Sequence, residues 1–411
     1  MLNIISQRIR LMISVEQARE TILKRVAPLG SEKVYIEQAL GRYLSEDVIS
    51  EMDIPSWDNS AMDGYAVHTS DIVSPGIQLK VAYEIPAGSS PQGSLGRGSV
   101  VKVMTGAQMP PGADAVVKRE DTEELDGSVI IRTIPKKSEH IRFKGEDIRK
   151  GEILLKQGTY LDPAQIGILA SIRRVMVNCH RRPVVAIIAT GDEVADLGEE
   201  ITEGKIPSSN SYTLKSLVSQ LGATPLYLGI AKDTKEDLRA KFSMARSADL
   251  ILTSGGVSMG DYDVVKEVMA EEGNSMAFWK VEMKPGRPLA FGTINGVPTI
   301  GLPGNPVSTM TSFYQFARPA ILKLSGSESL LLPRLRAKLA CPVTTSGGRP
   351  HYIRGILSLC GEELHVAPTG PQGSGILSSM AKGNCFIVAP AERRLFEQGE
   401  WIVCEVFQAS W

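Results

Sequence analysis

The 411-residue chain has no C-x-x-C pair, and its five cysteines, Cys179, Cys341, Cys360, Cys385 and Cys404, are scattered and odd in number. That excludes a disulfide framework as an organising device and argues for reduced thiols in a cytosolic setting. The five histidines, His68, His140, His180, His351 and His365, fall on no metal-binding spacing such as H-E-x-x-H. They read as ordinary loop or surface histidines, and neither zinc nor an iron–sulfur cluster is expected. An excess of either charge is missing too: 45 Lys and Arg against 46 Asp and Glu leave a formal charge of −1. No global field therefore draws nucleic acid or anionic lipid, and any anion site must be local. No run approaches the roughly 20 apolar residues of a bilayer span. The opening MLNIISQRIRLMI is broken by Ser, Gln and two Arg, with no small-residue cleavage site after it. Residues 1–12 read as a loose extension with Met12 a candidate start, and the chain carries no internal repeat or low-complexity tract.

What is present is apolar residue enough, 43%, for several cores in a chain too long for one; about two to four folding units follow. Residues 14–29 have helical spacing: Ser14 and Gln17 form a capping box, Val15, Ala18, Ile22, Val26 and Leu29 share a face, and Pro28 disfavours continuation. From 51 to 144, β-branched runs (SVVKVM, DAVVKRE, SVIIRTI) alternate with Pro/Gly turns, the pattern of a small β-rich domain. KGEILLKQGTYL (150–161) continues as strands, and Asp162, Pro163 and Gln165 then open a second helix that returns the chain to a connecting layer. From 183 to 325 strands alternate with longer helices, the mark of right-handed βαβ units. After LSGSES the runs RLRAKLA, YIRGILSL, ELHVAP, NCFIVAP and EWIVCEVF are short strands. The predicted fold class is α/β plus β and multidomain, with a central doubly wound, mostly parallel sheet. Its parts are a connecting domain (1–50 and 145–180), a β-rich domain (51–144), an α/β domain (181–325) and a C-terminal β-barrel (326–411).

Three apolar runs of the α/β domain end in glycine-rich polar turns: PVVAIIATGDE (183–193), DLILTSGGVSMGDYD (249–263) and VPTIGLPGNPVS (297–308). Ligands of open α/β sheets sit beyond the carboxyl ends of parallel strands, so these turns imply one crevice. Gly255 and Gly256 permit close backbone approach, and Ser258 and Gly260 precede a helix whose free N–H groups attract anions. Asp261 and Asp263 add acid there, which suits a divalent cation joining carboxylate to phosphate; Asp261 as a plain helix cap is the competing reading. Asp192 and Glu193 are candidates for magnesium ligation or base chemistry, or are solvated turn residues. Pro303 and Pro306 stiffen the turn around Gly304-Asn305 before a helix carrying Ser308. WKVEMKPGRP brings Lys280, Lys284 and Arg287 beside these turns as oxyanion receptors. In the β-rich domain PSWDNSAMDGYA (55–66) packs Asp58, Asn59, Ser60 and Asp63 into a polar cluster typical of a binding loop, and Thr105 and Asp147 are similar candidates.

In order, DNSAMDGYA, MTGAQMPPGADAVV, GEDI, ATGDE, TSGGVSMGDYD, MKPGRPLAFG and LPGNPVS resemble the molybdopterin molybdenumtransferase family, called MoeA in bacteria and the E-domain of gephyrin in animals. The resemblance runs from about residue 14 to the end and implies a MogA-like α/β domain. It also implies a cytoplasmic, Mg²⁺-dependent enzyme that inserts molybdate-derived molybdenum into adenylylated molybdopterin and releases AMP. Elongated homodimers are implied, with the site between the α/β domain of one subunit and the β domains of its partner. So are transient contacts with the adenylyltransferase and with acceptor molybdoenzymes, and neither nucleic acid nor membrane. Carried over motif by motif, the resemblance assigns catalysis to Asp63, Asp147, Glu193, Asp263, Lys280 and Lys284, with Asp63, Glu193 and Asp263 as metal ligands. Substrate binding falls to Thr105, Asp233, Pro303, Pro306, Arg354 in YIRG and Ser374 in PQGS; Gly255, Gly256, Ser258 and Arg287 join them from the turn chemistry, and Asn210 in PSSNSYT as the nucleotide contact. Two other readings stay open: a nucleotidyltransferase related to the small adenylylating proteins of the same pathway, and a scaffold that holds a partner peptide as gephyrin does. The β-rich segments around the α/β unit speak against the first, and the lack of a fused adenylyltransferase domain or long Pro/Ser linker against the second.

Overall fold

The computed structural model describes residues 12–257, 264–269, 271 and 273–408. The capping box forms as the sequence predicts: Gln17 N donates to Ser14 Oγ at 3.2 Å, and Ser14 N to Gln17 Oε1 at 3.3 Å. The helix, Val15–Leu23, is shorter than the predicted 14–29. Val26 is buried but beyond it, because the chain turns away before Pro28 so that Leu29 N can donate to Leu324 O. Periodic burial outlasted the helix. The second helix, Pro163–Ser171, starts on Asp162 with proline in its first turn, as expected. Strand Ser31–Tyr35 pairs antiparallel with Met176–His180, and Leu44, Leu161, Leu169 and Val177 close one apolar cluster between segments far apart in sequence.

Residues 64–131 build a six-stranded sheet in the order Ala115–Lys118, Gly64–Val67, Ser99–Val103, Ile77–Ile85, Ser128–Ile131, Thr122–Leu125, with an apolar cluster on each face. At Gly64 a Cβ would stand 2.0 Å from Val117 O, so only glycine admits this pairing.

The central sheet runs Thr224–Ala231, Val184–Thr190, Leu250–Ser254, Val297–Leu302, Ala290–Ile294, Ser275–Trp279. Its first four strands are parallel and its last two antiparallel. The sheet is therefore mixed: Ala290–Ile294 runs against the parallel strands and Ser275–Trp279 against it, two strands that the strand–helix alternation of the sequence does not predict. Val184–Thr190 is buried at all but its first residue, as a strand covered on both faces must be. Ala186, Ile188, Phe242 and Val265 pack on one face; Val185, Ile187, Leu214 and Phe316 pack on the other. This second core also takes in Val15, Ala18 and Ile22 of the N-terminal helix and Tyr352 and Phe386 from the C-terminal unit.

That unit is a closed five-stranded barrel of Arg334–Leu339, Glu363–Pro368, His351–Cys360, Cys385–Ala389 and Trp401–Val406, the five predicted strands. Its seat on the α/β unit is fixed by a polar chain whose middle members, Gln315 and Glu405, are buried. Arg19 Nη2 donates to Gln315 Oε1 at 2.6 Å, Gln315 Nε2 to Glu405 Oε2 at 2.6 Å, and Arg334 Nη2 to Glu405 Oε1 at 2.7 Å. Gln315 lies in a π-helical turn, Phe313–Ala317, between helices Pro306–Ser312 and Arg318–Leu324. Pro319 lacks an N–H for the regular ladder, consistent with the wider turn before it. Among the described residues no helix is long and apolar enough to cross a membrane.

Candidate functional site

Three parallel strands deliver their carboxyl ends to one cavity of about 500 Å³, lined by Thr190, Glu193, Asn210, Ser254–Gly256 and Pro303–Pro306 among others. The turns are held to one another directly. Gly255 N donates to Leu302 O at 3.1 Å, and Asn210 Nδ2 donates to Ser254 Oγ at 2.8 Å and Gly304 O at 2.7 Å. Thr309 Oγ1 donates to Pro303 O at 2.6 Å, locking the LPGNP turn onto its helix. Gly255 has φ +96°, and a Cβ there would lie 2.7 Å from both Thr190 O and Thr190 Oγ1, so a side chain is excluded. Asp233 and Asp192 exchange backbone bonds, each carboxylate accepting from the other's N–H at 3.3 Å. Burial, and then repulsion from Asp192 and Glu193, pushes the Asp233 carboxyl above the usual range against that bond.

A second cavity of about 680 Å³ adjoins the first at Pro288 and Ser308 and lies between the 283–288 segment and the barrel. Lys284, Arg287, Arg349 and His351 line it, and among the described residues no carboxylate does. The segment is hung on the barrel by backbone bonds, Lys284 N to Pro350 O at 2.9 Å and Tyr352 N to Lys284 O at 2.8 Å. Asn305 Nδ2 donates to Ser374 Oγ at 3.1 Å, so the third glycine turn also touches the barrel.

The predicted residues divide by place. Glu193, Asn210, Asp233, Gly255, Gly256, Pro303 and Pro306 line the first cavity; Lys284, Arg287, Arg354 and Ser374 line the second; Ser308 lines both. Arg354 is only 1% exposed and its guanidinium is engaged, Nε with Ser379 Oγ at 3.0 Å, Nη1 with Gln372 O at 3.2 Å and Nη2 with Gly373 O at 3.0 Å. Its bonds shape the loop that carries Ser374, and burial brings its pKa down to about 10. Lys280 lines neither cavity, and its carbonyl accepts from Ile13 N at 3.2 Å. Asp63, Thr105 and Asp147 also line neither. Thr105 N and Oγ1 donate to Asp63 Oδ1 at 2.6 and 2.8 Å, and these bonds hold that carboxyl below its usual range. Asp147 is exposed, its N–H bonded to Ile54 O at 3.1 Å. Ser258, Gly260, Asp261 and Asp263 lie outside the described residues. Among the described residues no group of three or more His, Cys, Asp or Glu could hold a metal ion.

His351 corrects the sequence reading. It is not a surface histidine but 6% exposed, at the head of a barrel strand, facing the cationic cavity with Nε2 3.1 Å from Ser346 Oγ. A lone histidine beside R-P carries no spacing signal; only its place opening the YIRG strand hinted at a position near Arg354. Ser346 and Arg349 were missed for the same reason.

A mixed α/β sheet with turn-built and cation-lined cavities meeting at a barrel defines a multidomain α/β plus β protein whose second cavity suits an anion. Residues 13–172 match the MoeA N-terminal region (domain I and II), 186–323 a "Probable molybdopterin binding domain", and 336–407 the MoeA C-terminal region (domain IV). The chain is 38% identical over 401 residues to a molybdopterin molybdenumtransferase of Haemophilus influenzae, covering 96% of this chain and 99% of the relative. A Nostoc protein of the same name is 38% identical over 95% of this chain and 92% of its own. The crystal structure of a molybdopterin biosynthesis MoeA protein from Pyrococcus horikoshii superposes with TM-score 0.81 at 31% identity, covering 97% of this chain and all of that one. The chain belongs to the molybdopterin molybdenumtransferase family, a family of transferases.

Proposed function

We propose that this protein inserts molybdate-derived molybdenum into adenylylated molybdopterin, releases AMP and so forms the molybdenum cofactor. The observation that carries the reading is the meeting, at Pro288 and Ser308, of a carboxylate-edged turn cavity with a cationic one that no carboxylate lines among the described residues. Molybdate is a tetrahedral dianion, which Lys284 and Arg287 suit, while the glycine turns let a pterin nucleotide approach backbone N–H groups closely. Cleaving a phosphoanhydride requires neutralised charge and positioning more than a strong nucleophile. The tied turns supply positioning and the cations supply charge.

Magnesium suits the acidic edge. Among the described residues neither Glu193 nor Asp233 is in an ion pair, and Asp233 is crowded by like charge, an excess of oxygen donors that a hard cation relieves. Glu193, with Asp63 and Asp263, would hold it, and when bound it would screen the anhydride. Asp63, Thr105 and Asp147 stand away from both cavities of their own chain, so a homodimer in which one copy's β-rich unit reaches the other's α/β cleft would bring them to the reaction. The test is purified protein with Mg²⁺, molybdate and adenylylated molybdopterin, followed for AMP by chromatography and for mass by sedimentation. Molybdate-dependent AMP release from a dimer is expected, with a loss of roughly 10²–10³ in Asp63→Ala. Bound nucleotide that is never cleaved would overturn the reading.

A further inference from the structure

Among the described residues that line the cationic cavity there is one imidazole, His351. Its surroundings are one-sided. Its strand begins with it, so Tyr352 follows on the strand while Arg349 lies two residues back in the bend before it; the parallel bridge from the 283–288 segment sets Lys284 beside it; its partner across the barrel sheet is Ala389. The 345–348 loop contributes Ser346, whose hydroxyl lies 3.1 Å from His351 Nε2 and 3.5 Å from Lys284 Nζ. Behind that loop the 391–394 turn carries Glu392, Arg393 and Arg394, all exposed, and the cavity lining adds Arg287 and Arg354 with no carboxylate among the described residues. Burial first, then Lys284 and Arg349, disfavour the imidazolium.

We propose that His351 is a proton-linked member of the oxyanion receptor: it stands neutral beside the cations and takes up a proton when an inorganic dianion enters the cavity. This rests on the reading of the cavity as a molybdate site. The physical cause is charge. Two negative charges beside Lys284 and Arg349 cancel the repulsion that keeps the ring neutral, and no carboxylate among the described residues of the lining does so in their place. The Ser346 hydroxyl changes role with it. In the neutral tautomer that carries its proton on Nδ1, Ser346 donates to Nε2; once the ring is protonated, Nε2–H donates to Ser346 Oγ, and the hydroxyl hydrogen is released toward the anion. Protonation thus adds a charge and a donor together, which favours dianions over monoanions of similar shape.

The test is calorimetric titration of the full-length protein with sodium molybdate in buffers of different ionisation enthalpy, with the histidine ring signals followed by NMR at neutral pH. Wild type is expected to take up close to one proton per anion at pH 7 and to bind up to about tenfold tighter per unit fall in pH between 8 and 6. The His351→Gln variant, which keeps a polar group beside Ser346, is expected to bind with no pH dependence and no proton uptake. The NMR shift of His351 to the imidazolium position on adding molybdate to wild type does not depend on the variant folding. Molybdate binding without proton uptake, or equal uptake by His351→Gln, overturns this inference alone. No binding by wild type overturns the molybdate reading along with it.

Discussion

The two adjoining cavities are built by opposite means. The first is made of backbone: glycine turns at strand ends, tied across one another by Asn210 and Thr309, with carboxylates at the edge. The second is made of side chains: Lys284, Arg287, Arg349 and His351 on two units brought together by the Arg19–Gln315–Glu405–Arg334 chain. A backbone site is as rigid as the sheet that carries it, and a side-chain site between two units is as precise as their junction. Position is therefore secured by the first cavity and charge by the second, and damage to each should read out differently.

The largest separation comes from Lys284→Ala. AMP release should fall roughly 10²–10³-fold by analogy with lost oxyanion donors, while the melting temperature stays near wild type because Lys284 Nζ makes only a long 3.5 Å contact. Equal turnover would remove the cationic cavity from the chemistry. Gly255→Ala should do the reverse, costing stability first: a Cβ 2.7 Å from Thr190 O at φ +96° cannot be accommodated without shifting the turn, about 1–3 kcal/mol in urea unfolding. Gln315→Ala leaves Glu405, 3% exposed, without one of its partners and should cost about 1–3 kcal/mol. It should also weaken molybdate binding more than nucleotide binding; equal weakening would mean the junction does not set the second cavity alone.

The smallest effect is on pH. Because Asp233 is held above its unfolded value, its contribution to stability is whole below the ordinary carboxylate pKa and is lost as pH rises through the raised one. Asp233→Asn, measured without divalent cation, should thus raise the urea midpoint at pH 7 and leave it unchanged at pH 3. A lower midpoint at pH 7 would show that the acidic edge carries no excess of charge.

The first cavity was legible in the sequence because its parts are local: TGDE, TSGG and LPGNP each announce a strand end and a turn within a few residues. The barrel strands and both helix caps were legible for the same reason. The second cavity was only half visible. Lys284 and Arg287 stood out as neighbouring cations, but His351, Arg349 and Ser346 meet them through a parallel bridge about 65 residues downstream, which no local pattern encodes. The antiparallel strands Ala290–Ile294 and Ser275–Trp279 were hidden by the basic segment between them, and Arg354 looked like a free receptor because sequence does not show that carbonyls of residues 371–373 surround it.

Anomalous diffraction at the molybdenum edge, from crystals soaked in molybdate, tests most directly whether charge and position are divided between the two cavities. The expected peak lies in the cationic cavity beside Lys284 and Arg287, within reach of Ser308 where the two spaces meet. A peak among the Gly255–Gly256 and Pro303–Pro306 turns, with the cationic cavity bare, would contradict the division.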